Sequence, residues 1–92
     1  MKFETVFIVY SETYVLLDEA RRGGELRKRF GEEGCGRVIA AITAWETAIA
    51  EYGDRLARVE LCFWEDGSLS WQAYTTVQWR GEVGETMGPE EP

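Results

Sequence analysis

Of the side chains that ordinarily perform chemistry, this 92-residue chain offers many carboxylates, two cysteines and no histidine. The missing histidine removes the commonest general base, the commonest metal ligand and every Ser-His or Cys-His nucleophile pair. Cys35 and Cys62 lie far apart in sequence, and a zinc site built on them would have to take its remaining ligands from carboxylates. Both are read as reduced packing residues, Cys62 on a strand and Cys35 in a glycine-rich loop. Gly34-Cys35-Gly36 ahead of a helix has the look of a phosphate-binding turn, where backbone amides meet an anion at a helix N-terminus. However, Ile39 stands where a third glycine is needed, no Lys-Ser or Lys-Thr follows, and Glu32 and Glu33 would repel phosphate. Glu32 with Glu33, and Glu65 with Asp66, are carboxylate pairs of the kind glycoside chemistry uses. With 17 acidic residues in the chain such pairs carry no information, and a loop and a turn account for these two. The expectation is a protein that is not an enzyme, with no catalytic residue, metal or cofactor.

The formal charge of −7 disfavours direct binding to nucleic acid or to an anionic membrane and favours a partner with a basic surface. Arg21, Arg22, Arg27, Lys28 and Arg29 place half of the 10 basic residues in one short stretch, so the rest of the chain is more acidic than the total implies. These cations are expected to pair with Glu19, Glu25 and Glu32 and not to touch phosphates. Among the aromatic residues, Trp45 and Trp71 are assigned to the core. Trp64, Tyr74 and Trp79 are left as candidates for a contact surface, where exposed aromatic residues are enriched.

The expected partner-binding set is Glu46, Glu51 and Asp54 on a helix, with Glu60, Trp64, Glu65, Asp66 and Tyr74 on or beside a sheet. In character, though not in sequence, this is the profile of the small inhibitor proteins that phages use against host nucleases and CRISPR complexes. The functional expectation is a stoichiometric inhibitor that occludes a basic nucleic-acid-binding surface of a partner protein. The alternative is a homo-oligomeric assembly protein that self-associates, as a homodimer for example, through the polar face of its sheet.

The elements that must position these residues follow from periodicity. Lys2 to Tyr10 alternates with β-branched and aromatic residues on both sides, which predicts a strand covered on much of both faces and placed centrally. In Ser11 to Arg22, Tyr14, Leu17 and Arg21 fit a helix with Ser11 as N-cap, while Thr13 to Leu17 equally fits a short return strand; helix is the reading adopted. Gly23-Gly24 interrupts, and Glu25 to Phe30 adds further helical turns. Val38, Ile42, Trp45, Ile49 and Tyr52 form one apolar stripe, flanked by Ala41, Ala44 and Ala48, on a long helix that ends at Gly53.

The following hairpin turns at Glu65-Asp66-Gly67. A three-residue loop pairs Phe63 with Leu69, Leu61 with Trp71 and Val59 with Ala73, giving one consistently apolar face, whereas a two-residue loop mixes core with solvent. In this register Trp71 should lie buried against Ile42, Trp45 and Ile49, so that Trp71→Ala costs about 3 to 5 kcal/mol.

The expected fold class is α+β: an antiparallel sheet of three or four strands, with one long helix (about 37–53) packed on one face and shorter helical pieces between 11 and 30. Residues 1–83 are assigned to one domain and 84–92 to an acidic, disordered tail. The 45% hydrophobic content suits one modest core. The longest apolar run, Val38 to Ala50, is too short to span a bilayer, and the acidic opening does not resemble a signal peptide, so a cytoplasmic protein is expected.

Overall fold

The structure is a computed structural model, and it describes residues 3–79 and 82–85. The chain runs β1 (Phe3–Val9), α1 (Ser11–Arg22), α2 (Leu26–Tyr52), a 3-10 turn (Gly53–Arg55), β2 (Leu56–Trp64), β3 (Leu69–Trp79) and β4 (Glu82–Glu85). The strands form an antiparallel sheet in the order β1-β2-β3-β4, and the helices cover one of its faces. The α+β class and the helix over one face are as expected. No helix among the described residues is long and apolar enough to cross a membrane.

The segment left open between helix and strand is helix α1. Tyr10, not Ser11, occupies the N-cap and makes no side-chain capping bond; the helix begins with Ser11 itself. Its end is sealed by backbone bonds from Gly24 N–H to Arg21 O and from Glu25 N–H to Ala20 O, the paired pattern that satisfies the last carbonyls of a helix.

Helix α2 starts earlier than about residue 37. A first turn precedes a kink at Gly31, whose φ of 76° only glycine adopts without strain, and the helix then continues through Gly34-Cys35-Gly36. The expected loop at Cys35 is thus helical, and Cys35 is buried with Ala20, Leu26, Val38 and Ile42. Glu32 and Glu33 stand at the start of the resumed helix, where carboxylates complement the unpaired N–H groups.

The helix meets the sheet through its small residues. Ala41, Ala44 and Ala48 are sealed against Val9, Val59, Leu61 and Ala73, with Trp45 beside them. Such small side chains bring the helix axis close to the sheet and set its position over β2. The apolar stripe is rotated accordingly: Val38, Ile42 and Trp45 are buried, but Ile49 is 39% exposed.

The hairpin has the expected register, Phe63↔Leu69, Leu61↔Trp71 and Val59↔Ala73, with Gly67 at a φ of 89° closing the turn. Trp71 nevertheless departs from its expected burial and is 38% exposed, because α2 is centred over β2 and leaves the same face of β3 open at Leu69 and Trp71. The first strand also departs from expectation. β1 is an edge strand and not a central one, and Val6 (42% exposed) and Ile8 (47%) point away from the helices into solvent. Gly84 and Glu85, assigned in sequence to the tail, belong to β4; residues 86–92 lie outside the described residues.

Leu61, with no exposed surface, touches the helix seam directly, so Leu61→Ala should cost about 2 to 5 kcal/mol in urea unfolding. Trp71→Ala should cost only about 1 to 2 kcal/mol, because much of the ring never leaves water. Equal losses would show that the helix covers β3 as fully as β2.

Candidate protein-docking surface

The expected binding residues divide between two sides of the molecule. Glu46, Glu51 and Asp54 belong to the helical side: Glu46 and Glu51 lie on α2, and Asp54 on the turn that follows it. Glu60, Trp64 and Tyr74 lie on the sheet face turned away from the helices, and Glu65 and Asp66 form the hairpin turn at the end of that face.

Glu46 is occupied within the fold. The Tyr14 hydroxyl donates to its Oε2 at 2.8 Å and Arg21 reaches the same oxygen at 3.2 Å, joining α1 to α2. Arg21 also bonds Asp18, which is buried on α1 and takes a second bond from Arg22 at 2.9 Å. Arg27 pairs with Glu32 and Arg29 with Glu25. The cluster of arginines is therefore largely neutralised where it stands, by Glu25 and Glu32 as expected and by Asp18 and Glu46 in place of Glu19.

The open sheet face has its own polar core. Arg58 is 6% exposed and lies over the Tyr74 ring at 4.2 Å, and its Nε donates to Glu60 at 2.8 Å. Tyr74, expected as an exposed contact residue, is only 9% exposed, and its hydroxyl donates to Gln72 at 3.0 Å. The stacked guanidinium removes the Tyr74 ring from solvent. Tyr74 and Glu60 are thus framework of this face and not free anchors. The side chain of Trp79 lies outside the described residues.

Trp64 keeps the position expected of it. It is half-buried, its Nε1 donates to Ser70 at 3.1 Å, and it stands between two grooves. One, of about 310 Å³, lies on the open sheet face beside Glu60, Cys62, Ser70 and Gln72. The other, of about 370 Å³, runs between the hairpin turn and α2, lined by Glu33, Arg37, Phe63 and Glu65. Arg37 organises this second groove: it donates to Glu33 at 2.9 Å and to the Thr5 hydroxyl at 3.3 Å, and lies over the Phe63 ring at 5.5 Å. Sequence reading passed over Arg37 and Glu33 as a helix pair; their i,i+4 spacing was visible, but the contact with Phe63 was not.

Four of the expected acidic residues remain without an ion pair among the described residues: Glu51 and Asp54 at one end of β2, and Glu65 and Asp66 at the other. At the rise of a β-strand, the nine residues of β2 separate these ends by roughly 30 Å. The surface can therefore present negative charge at two spaced points, with an aromatic side chain next to one of them.

Two of these contacts carry a pH signature. Donation to the Glu46 carboxylate raises the Tyr14 hydroxyl above its ordinary value of 10.0. The neutral phenol is favoured in the folded state, so this contribution to stability is complete below the unfolded value and is lost as pH rises through the higher folded one. Tyrosinate absorbance should show a late-titrating phase from Tyr14 that Glu46→Gln moves to lower pH. Asp66 is held below 3.8 by the hydroxyl and backbone N–H of Ser68. Its contribution is present above 3.8 and lost as pH falls through the lower folded value. Carboxyl NMR titration should place the Asp66 midpoint below 3.8, and Ser68→Ala should raise it; an unmoved midpoint would remove the hydroxyl as the cause.

Compared with protein-family models, with curated proteins and with solved structures, the chain matches none of them.

Proposed function

We propose that this chain is a non-enzymatic, acidic protein-binding module that seats on a basic, nucleic-acid-binding surface of a partner and so inhibits it stoichiometrically. The observation that supports this reading is the distribution of carboxylates left over after internal pairing. Glu46 and Glu60 serve the fold, while Glu51 with Asp54 and Glu65 with Asp66, at opposite ends of β2, form no ion pair among the described residues. A basic groove that neutralises spaced phosphates offers complementary charge over the same kind of distance. Trp64, between its two grooves and next to Glu65, is the aromatic side chain placed to be desolvated on contact. An arrangement of the type phages use to block nucleases or CRISPR complexes is one form such a module takes.

Charge and anchor act on different steps. Complementary charge accelerates encounter and makes it sensitive to salt, whereas a desolvated aromatic residue slows departure. With the partner captured from the native cell and immobilised, Glu51→Lys/Asp54→Lys and Glu65→Lys/Asp66→Lys should each lower the association rate about tenfold at low salt and much less at high salt. Trp64→Ala should leave association nearly unchanged and raise the dissociation rate about tenfold or more. Glu46→Lys should instead lower thermal stability, because it breaks the bonds from Tyr14 and Arg21. An association rate indifferent to salt and to both charge reversals would refute the competitor mechanism.

A further inference from the structure

From the open edge of the sheet we infer that two copies of this chain associate by antiparallel pairing of β1 with β1 of the second copy, about a two-fold axis at Phe7. Among the described residues β1 pairs on one side only, with β2, and its other side presents a strand's worth of backbone N–H and C=O groups. Sheet edges of this kind are ordinarily protected by lysine, proline, a bulge or a covering element. From Thr5 to Tyr10 the chain has no charge and no proline, and the irregularity of the strand is confined to its start, between Phe3 and Thr5. Val6 and Ile8 lie on the face that no helix covers, and both are exposed.

The charge pattern argues that the occupant is a second copy and not a foreign basic strand. A basic partner is recognised by carboxylates, and Thr5 to Tyr10 contains none. Two chains of charge −7 repel over most of their surfaces, so they can approach where charge is absent, and this stretch is such a place. A two-fold contact sets each residue against its symmetry mate's position. Centred on Phe7, it places Val6 opposite Ile8, Thr5 opposite Val9, and Phe7 opposite itself, so that every pair from Thr5 to Val9 is uncharged, Glu4 falls opposite Tyr10, and Val6 and Ile8 of both copies form one apolar cluster on the open face. Centred on Val6 it would place Ile8 opposite Glu4, which is the poorer match. The dimer joins two sheets edge to edge.

The inference does not rest on the proposed function, and salt separates the two. Screening should strengthen a contact between like-charged copies through an uncharged seam, whereas it weakens an acidic module on a basic partner. Sedimentation equilibrium of the purified chain should show a reversible dimer whose fraction increases with concentration and with ionic strength. Val6→Lys/Ile8→Lys, both at exposed positions, should weaken the dimer by at least about tenfold in dissociation constant while circular dichroism and the melting temperature stay close to wild type. Val6→Lys/Ile8→Glu should dimerise again, because the Phe7-centred register sets opposite charges against each other. On the unmodified protein, a mixed sample of labelled and unlabelled chains should give isotope-filtered NOEs between Val6 and Ile8 methyl groups of different copies. A chain that stays monomeric at all concentrations and salts overturns the proposal. So does a dimer that is indifferent to Val6→Lys/Ile8→Lys, or that lacks the intermolecular Val6 to Ile8 NOEs.

Discussion

The contact of Ala41, Ala44 and Ala48 with Val59 and Leu61 decides where everything else in this protein lies. Alanine side chains let the helix settle close to β2, and a chain of this size has a second short helix, α1, to extend the cover further. α1 packs beside α2 through Tyr14 and Leu17, with Phe7 of β1 touching both apolar clusters. Helical cover is thereby spent over β1 and β2. What remains open is the same face of β3 at Leu69 and Trp71, together with the opposite face of the sheet. The surfaces available for contact are consequences of this seam.

The electrostatics follow the same division. Arginines near the helix layer pair with carboxylates that also hold the layer together, as Arg21 does with Asp18 and Glu46, while Arg58 is used inside the open face against Tyr74 and Glu60. Exposed ion pairs of this sort contribute little to stability individually, but they determine which charges are left for solvent or a partner. Of the expected binding residues, those left over lie at the two ends of β2, while Glu12 and Glu19 add further exposed carboxylates on α1. Glu51 with Asp54 and Glu65 with Asp66 thus lie apart, while the stretch Thr5 to Tyr10 along β1 carries no charge.

Much of the architecture was legible in the residues. The α2 stripe was visible because Val38, Ile42 and Trp45 recur at helical spacing, and the hairpin register because only the three-residue turn closing on Gly67 put Leu61, Phe63 and Val59 on one face. The glycines around Cys35 suggested a loop because each lowers helix propensity, yet Cys35, Val38 and Ile42 already continue the helical period. The position of β1 was not legible: a strand apolar on both sides reads the same whether a neighbour covers it or it lies at an open edge. Burial of Trp71 failed for a related reason, since alternation assigns a face but not how far a helix extends across it. Of the binding set, Trp64, Glu51, Asp54, Glu65 and Asp66 kept exposed or grooved positions. Glu46 was absorbed by Tyr14 and Arg21, distant in sequence. Tyr74 and Glu60 were absorbed by Arg58, which the hairpin register sets opposite Tyr74 and alternation places on the face of Glu60, but the stacking of its guanidinium on the ring is not written in that pattern.

The central claim is that the acidic ends and Trp64 occupy the surface with which a partner holds nucleic acid, and mutual exclusion tests it most directly. The partner captured on this chain from the native cell would be washed with excess double-stranded DNA or RNA, with a wash of equal ionic strength lacking nucleic acid as control. The account predicts a basic partner that nucleic acid displaces and the control wash retains. An acidic partner, or a ternary complex in which partner, nucleic acid and this chain remain together, would contradict it.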